Sequence, residues 1–409
     1  MRSARTVFSM LGVALLVVVS GVFSAPGARA GLGRCGRLDA SLSWHGANRV
    51  MLQRFLDDVC ASGTRGRLAI FDWDNTVIKN DVGDAMVFWL LRHDKVRQPP
   101  RKDWAETSPF LTPAGVAALG AACGRAPAGR PLRTSSDAGC ADEILSVYSE
   151  GKTTGGADAF GGFDHRRAEP SHAWAAQLLA GYTPGQVRGF AAAARRENLS
   201  APRGAVQRVG SREVTGWIRY YDQMRDLLGA MRRSGLDVWV VSASPQPVVE
   251  VWAAGVGVRP NRVIGVRTVR DRGRLTSGLA GCGGDAEAIP YIDGKRCLIN
   301  QEILGLAAPF ERAPHHLRQV FAAGDSDTDV AFLRDATTTR LVVNRNKPEV
   351  MCRAYHGGWL VNPMFIEPKP AKAGRYPCST TGYTTSSGAS APVVDDNGVV
   401  IPDQTDSVF

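Results

Sequence analysis

Phe71-Asp72-Trp73-Asp74-Asn75-Thr76 places two carboxylates two positions apart, directly after the short apolar run Leu68 to Phe71. One carboxylate can attack an electrophile and carry a covalent intermediate. A second, nearby but in a different environment, can give a proton to a leaving group and then take one from water. On a phosphate substrate a cation must offset the repulsion between anions, and hard carboxylate oxygens suit Mg²⁺. A bare Asp-x-Asp is more often a solvated or capping turn, so its meaning depends on its company. Val238 to Val241 ends in Ser242, a small hydroxyl suited to a phosphoryl oxygen. Gly324-Asp325-Ser326-Asp327-Thr328-Asp329 offers carboxylates for the cation, and Lys295 in Asp293-Gly294-Lys295 offers a positive charge. Together these are the parts that phosphoryl transfer requires. Asp327, the extra acid of that run, is expected to be solvated.

The elements that must position these groups alternate. Arg49 to Cys60 reads as a short amphipathic helix, and Met224, Leu227, Leu228 and Met231 fall on one face of a helix over Tyr221 to Arg233. Leu68 to Phe71, Val238 to Val241, Val263 to Val266, Val320 to Ala323 and Leu341 to Val343 are short, uniformly apolar strands. Uniform apolarity predicts a parallel sheet covered on both faces. Asp72, Ser242 and Asp325 each follow a strand end, which is where open α/β sheets bind ligands. Asp72 and Ser242 are 170 positions apart, so an insertion of roughly 84–216 must lie between them. Within it Ser171 can cap a helix over Ala173 to Ala180, and Thr183 can cap another with Pro184 at its first position.

The order of these motifs resembles the haloacid dehalogenase-like hydrolase superfamily: Asp72 to Thr76, Ser242, Lys295, then Gly324 to Asp329. The resemblance covers about Leu68 to Val343. It implies an α/β protein with a Rossmann-like parallel-sheet core and a mostly helical C1-type cap inserted after the first strand. In that scheme Asp72 is the nucleophile and Asp74 the general acid/base. Asp72, the main-chain carbonyl of Asp74, and Asp325 hold Mg²⁺. Ser242 and Lys295 bind the phosphoryl group, and Asp329 supports the site. Within the superfamily the likeness is to the phosphoserine phosphatase and exported phosphorylcholine phosphatase branch. Asp81 stands where the former carry an acid that meets the substrate's amino group; a helix N-terminal acid is the equal alternative. Trp73, Phe88 and Trp89 would suit a choline-like cation through cation–π contact, though aromatics at such positions are more often core.

The organisation expected is a signal peptide at 1–30, a catalytic core at 31–83 and 217–366, a cap at 84–216, and an extended tail at 367–409. The signal reading rests on the basic Arg2 and Arg5, an uncharged run from Val7 to Phe23, and Ala28-Arg29-Ala30. Removing that segment lowers the net charge from +10 to +7. Basic residues are scattered among acids with no basic run, which argues against a nucleic-acid partner. No other apolar run approaches the length of a membrane span. All eight cysteines follow the signal, and in an exported chain they are expected to pair with sequence neighbours, 15 to 26 positions apart. The Pro-, Ser-, Thr- and Gly-rich composition after Glu367 suggests a tail held at most by Cys378.

The expected protein is a secreted or periplasmic Mg²⁺-dependent phosphomonoesterase acting through an aspartyl-phosphate on a small organic phosphate, phosphocholine or phosphoserine among them. The alternatives are a phosphotransferase using the same intermediate and a non-catalytic secreted binding protein on the same scaffold. Oligomeric state is left open.

Overall fold

The computed structural model describes residues 35–63 and 66–409. The expected signal segment lies outside them. Six parallel strands form the central sheet: β1 (Leu68–Phe71), β2 (Asp237–Pro245), β3 (Val263–Val266), β4 (Phe321–Gly324), β5 (Thr339–Asn344) and β6 (Leu360–Pro363). Their spatial order is β6-β5-β4-β1-β2-β3. The strand order reverses at β1, which gives a crevice at the carboxyl ends of β1 and β4.

Period-two side-chain alternation explains the apolar strands. Ala69, Phe71, Val240, Phe321, Ala323 and Leu341 pack in one buried cluster. Ile70, Val241, Ile264, Ala322 and Val342 pack in another on the opposite face. Helix α1 (Asn48–Ala61) contributes Leu52, Phe55 and Leu56 to the first cluster. The insertion contributes α2 (Val82–Arg92), α3 (Pro113–Cys123), α4 (Ala138–Glu150), α5 (Pro170–Gln177) and α6 (Pro184–Ser200). Thr183 caps α6 in a capping box with Gln186. Helix α5 begins at Pro170, and Ser171 does not cap it but donates to Glu169. Buried residues of α2, including Met86, Val87 and Leu90, belong to the same cluster as the sheet, so the insertion shares the core.

Helices α7 (Asp222–Arg233) and α8 (Gln246–Ala253) complete the first layer. The second face is covered by α9 (Asp293–Leu298), α10 (Val330–Asp335) and α11 (Pro348–His356), through Leu298, Phe332, Val350 and Met351. An antiparallel hairpin, Thr268–Asp271 with Arg274–Leu279, follows β3.

The segment after Glu367 is irregular but packed, unlike the loose tail its composition suggested. Tyr376, Cys378, Val393 and Ile401 are 0–1% exposed and join the cluster under α10 and α11. Asn344 donates to the Asp406 carboxylate and the Val408 carbonyl, which holds the end of the chain on β5. Neighbouring cysteines pair as expected: Cys35–Cys60, Cys123–Cys140, Cys282–Cys297 and Cys352–Cys378. The last bond ties the C-terminal segment to α11. Replacing Cys352 and Cys378 together by serine should cost about 2–4 kcal/mol of stability, the usual value for a loop of this size. Denaturant unfolding is the check, and a loss under ~0.5 kcal/mol would show that packing alone holds the segment.

Candidate active site

Asp72, Asp74, Lys295, Asp325 and Arg345 line one cleft of about 620 Å³ at the carboxyl edge of the sheet. Asp72 leaves β1 with its main-chain N–H bonded to the Ala323 carbonyl of β4. Asn75 takes a left-handed φ of 59°, which turns the chain back so that both carboxylates stay at the strand end. Gly324 closes β4 where a Cβ would sit 2.6 Å from Asp329, so only glycine lets that carboxylate fold under the loop.

Lys295 is fully buried, and its ammonium donates to Asp72 Oδ1 at 2.6 Å and Asp329 Oδ1 at 2.7 Å. Burial alone would lower its pKa, but the Asp329 and Asp72 charges outweigh that and hold the lysine above its ordinary range. Burial pushes Asp72 up to about 6 against the pull of Lys295, with the Asp325 charge adding to the rise. Asp329 Oδ2 accepts from the main-chain N–H groups of Asp325 and Ser326, and burial with the Asp72 charge raises this carboxyl too.

Thr76 sits between two acids. Its Oγ1 is 2.9 Å from Asp72 Oδ2 and 2.8 Å from Asp325 Oδ1. One hydroxyl proton can serve one of these oxygens at a time, so the two carboxyl groups face each other across a single donor. Oxygens of Asp72, Asp325 and Asp329 lie within 4.8 Å of one another. Hard, crowded and under-supplied with protons, this donor set fits a divalent cation. Asp329 has the least capacity left, because Lys295, Thr328 and two main-chain N–H groups already occupy it.

Asp74 faces the other way. Its Oδ1 accepts from Val82 N–H at 2.8 Å, and its Oδ2 accepts from the hydroxyls of Ser242 at 3.2 Å and Ser244 at 2.8 Å. Burial, then the charges of Asp81 and Asp72, raise its pKa well above the ordinary carboxylate value. Ser242 is fully buried, and its oxygen also accepts from Ser244 N–H, so its hydroxyl is committed inward. Ala243 and Ser244 of the same strand end line the cleft instead.

Asp81 caps α2 through Gly83 and Asp84 N–H, the helix N-terminal role, and also lines the cleft. Phe88 lines the cleft, whereas Trp73 and Trp89 are core; Trp89 stacks between His93 and Phe190. Asp327, expected to be solvated, is half-buried and lines the cleft. It accepts from Val350 N–H at the start of α11, and burial pushes it up to about 7.

Arg345 was not foreseen. It follows β5, donates to Asp325 Oδ2 at 2.7 Å, and lines the cleft. The strand-end rule that singles out Asp72 and Asp325 would have found it, had Asn344 been read as strand. Asp84, which accepts from Tyr148 at 2.8 Å, was likewise missed; burial and then the Asp81 charge push it up to about 7.

The chain is thus a doubly wound parallel α/β sheet with paired acids, a buried lysine and a carboxylate cluster at its carboxyl edge. The family model for haloacid dehalogenase-like hydrolases matches residues 156–334, which carry Ser242, Lys295 and the Gly324 to Asp329 run. That match begins inside the insertion, and pairing of β1 with β2 and β4 brings Asp72 to Thr76 into the same unit. No curated protein sequence matches the chain. Among solved structures, a conserved functionally unknown protein from Anaerococcus prevotii DSM 20548 shares the fold. Its TM-score is 0.55 at 20% identity, covering 80% of this chain and 94% of that one. A protein of unknown function from Bordetella pertussis Tohama I gives a TM-score of 0.43 at 20% identity, covering 74% of this chain and 100% of that one. A phosphoserine phosphatase captured as a phospho-aspartyl intermediate analogue gives 0.33 at 14% identity, covering 68% and 87%.

Proposed function

We propose that the protein is an exported, Mg²⁺-dependent phosphomonoesterase. The observation that carries this reading is the Asp72–Lys295–Asp329 chain of contacts at the cleft floor, with Asp74 in a separate and less acidic environment. In this reaction an Asp72 oxygen forms a bond to phosphorus while the ester P–O bond breaks. Asp74, whose burial raises its pKa well above the ordinary carboxylate value, gives a proton to the departing oxygen. Asp74 then takes a proton from water, the hydroxide forms a new bond to phosphorus, and Asp72 is released with inorganic phosphate. Lys295 neutralises charge on Asp72 and on the phosphoryl oxygens, joined by Ser244 at the end of β2, while Ser242 holds Asp74. Mg²⁺, held by Asp72, the Asp74 carbonyl and Asp325, would supply charge neutralisation for the transferring group.

Asp81 and Asp84 share the cleft with Phe88, Tyr148 and Trp217, which supports a leaving group bearing a cation, as in phosphocholine or phosphoserine. The N-terminal sequence and four disulfides support export. Among the described residues no helix is long and apolar enough to cross a membrane.

The test is a panel of phosphomonoesters with and without Mg²⁺. p-Nitrophenyl phosphate should be hydrolysed with Mg²⁺ and not after chelation. Phosphocholine or phosphoserine should exceed glycerol phosphate in kcat/KM by about tenfold, the size of one desolvated cation contact. An enzyme inert on the whole panel sinks the phosphatase reading, and equal rates on all esters sink the cationic leaving group.

A further inference from the structure

The turn that leads into α9, the helix of Lys295, is held from outside the core. Residues 289–293 run beside residues 166–167 of the insertion: Asp293 N–H donates to the Arg166 carbonyl at 2.9 Å, and Ile289 N–H donates to the Arg167 carbonyl at 3.0 Å. Ile292 adopts φ 43°, ψ −103°, a conformation a β-branched residue resists, and its N–H donates to the Thr328 carbonyl. At Gly294 a Cβ would fall 1.8 Å from the Ile289 carbonyl oxygen. A turn this tight persists only where its surroundings over-determine it.

Main-chain bonds supply part of that constraint, and the Arg166 side chain adds a buried charge against Asp293. It is 5% exposed, and its guanidinium donates to Glu349 Oε2 of α11 at 2.6 Å. Its Nε lies 3.7 Å from Asp293 Oδ2, an ion pair rather than a hydrogen bond. The same group reaches the Thr384 carbonyl at 3.4 Å and lies 4.4 Å over the Tyr383 ring. One buried arginine thus joins the insertion, the lysine loop, α11 and the C-terminal segment. Segments on both sides of it feed the cleft, through Glu169 and His172 on one side and Tyr291 on the other.

We propose that Arg166 is a positioning residue for Lys295, acting through Asp293 and the 289–293 turn without touching substrate. The proposal rests on the phosphatase reading for the role of Lys295. A planar fork suits the place, because Nη1 serves Glu349 and Thr384 while Nε faces Asp293, and a point charge meets them less fully.

The experiment compares R166Q and R166K with the wild type. Displacing a reacting group by about 1 Å costs on the order of 100-fold, so R166Q should lose about 10- to 100-fold in kcat. R166K should recover part of that loss. Half-saturation by Mg²⁺ should stay within about twofold, since Arg166 contacts none of the acids near Thr76. Binding of inorganic phosphate, measured by calorimetry, should weaken in R166Q, a readout that needs no turnover. An R166Q enzyme with unchanged kcat and phosphate affinity overturns the proposal. So does a loss of kcat, phosphate binding and Mg²⁺ response together in proportion to the unfolded fraction in thermal melts. If R166Q does not fold, R166K decides alone: normal kcat and phosphate affinity in it overturn the proposal. A wild type inert on every phosphomonoester refutes the phosphatase reading, while phosphate binding still reports on Arg166.

Discussion

Asp72→Asn should abolish turnover of p-nitrophenyl phosphate, by at least about 10³-fold, while leaving the fold intact. The size follows from the role: a neutral amide has no nucleophilic oxygen of comparable strength, and the other groups act only once the covalent bond forms. The fold should survive because the amide oxygen can still accept from the Lys295 ammonium where Asp72 Oδ1 does now at 2.6 Å. The substitution also removes one of three crowded acids, so burial is less costly. The melting temperature should therefore hold or rise as activity disappears. Asp74→Asn supplies the contrast. It keeps the nucleophile and loses the group that activates water, so acid-quenched enzyme should retain phosphate on Asp72 and release it slowly. Mass spectrometry of the quenched protein distinguishes the two variants. An Asp72→Asn enzyme that turns over, or wild type that never carries phosphate at Asp72, would remove the covalent mechanism. The acid side of the rate profile offers a second check. Without a cation, burial sets Asp72 at about 6, and only the ionised form attacks. An adjacent divalent cation favours that ionised form, so the acid limb of the Mg²⁺-loaded enzyme should lie below about pH 6.

Legibility of this site in the sequence followed the physics of each element. Leu68 to Phe71 could be read because a strand buried on both faces must be apolar throughout, and a charged residue directly after it must lie at an edge. Arg345 obeys the same logic, but β5 ends in Asn344, a buried polar residue satisfied by the C-terminal segment, and that masks the strand end. Strand β6 carries Asn362 and Pro363 in four residues and so has no apolar run to detect. The C-terminal segment misled for a related reason. Its average composition is that of a loose chain, yet Tyr376, Val393 and Ile401 are enough to dock it once Cys378 bonds to Cys352. Ser242 and Asp327 were placed correctly along the chain but not in direction. Ser242 turns toward Asp74, and Asp327 accepts from the Val350 N–H in the first turn of α11, a partner 23 positions away. Arg166 and Glu349 are 183 positions apart and lie in no motif, so no local pattern could have joined them.

Lys295→Met should be the most destabilising single change in the site and should also remove activity. The lysine is fully buried and lies between Asp72 and Asp329, themselves 5% and 0% exposed. Methionine fills similar volume but leaves both carboxylates without their cation. Stranding a buried charge in this way costs about 3–5 kcal/mol. The pH dependence gives the argument its sign. Both carboxyls already titrate above the ordinary value of 3.8 because they are buried, and loss of Lys295 raises them further. A group whose folded pKa exceeds its unfolded pKa contributes most below the unfolded value, and that contribution is lost as pH rises through the folded one. The variant should therefore approach wild-type stability near pH 4, where both carboxyls hold protons, and fall progressively behind as pH rises past 6 toward 8. Wild type should show a shallower decline over the same range, since Lys295 pulls Asp72 downward. Urea unfolding at several pH values would measure this. A constant gap between the two proteins from pH 4 to 8 would mean that methionine merely packs badly, and that the lysine does not neutralise Asp72 and Asp329. A gap that widens with pH would identify Lys295 as the counter-charge that lets Asp72 exist as a buried nucleophile.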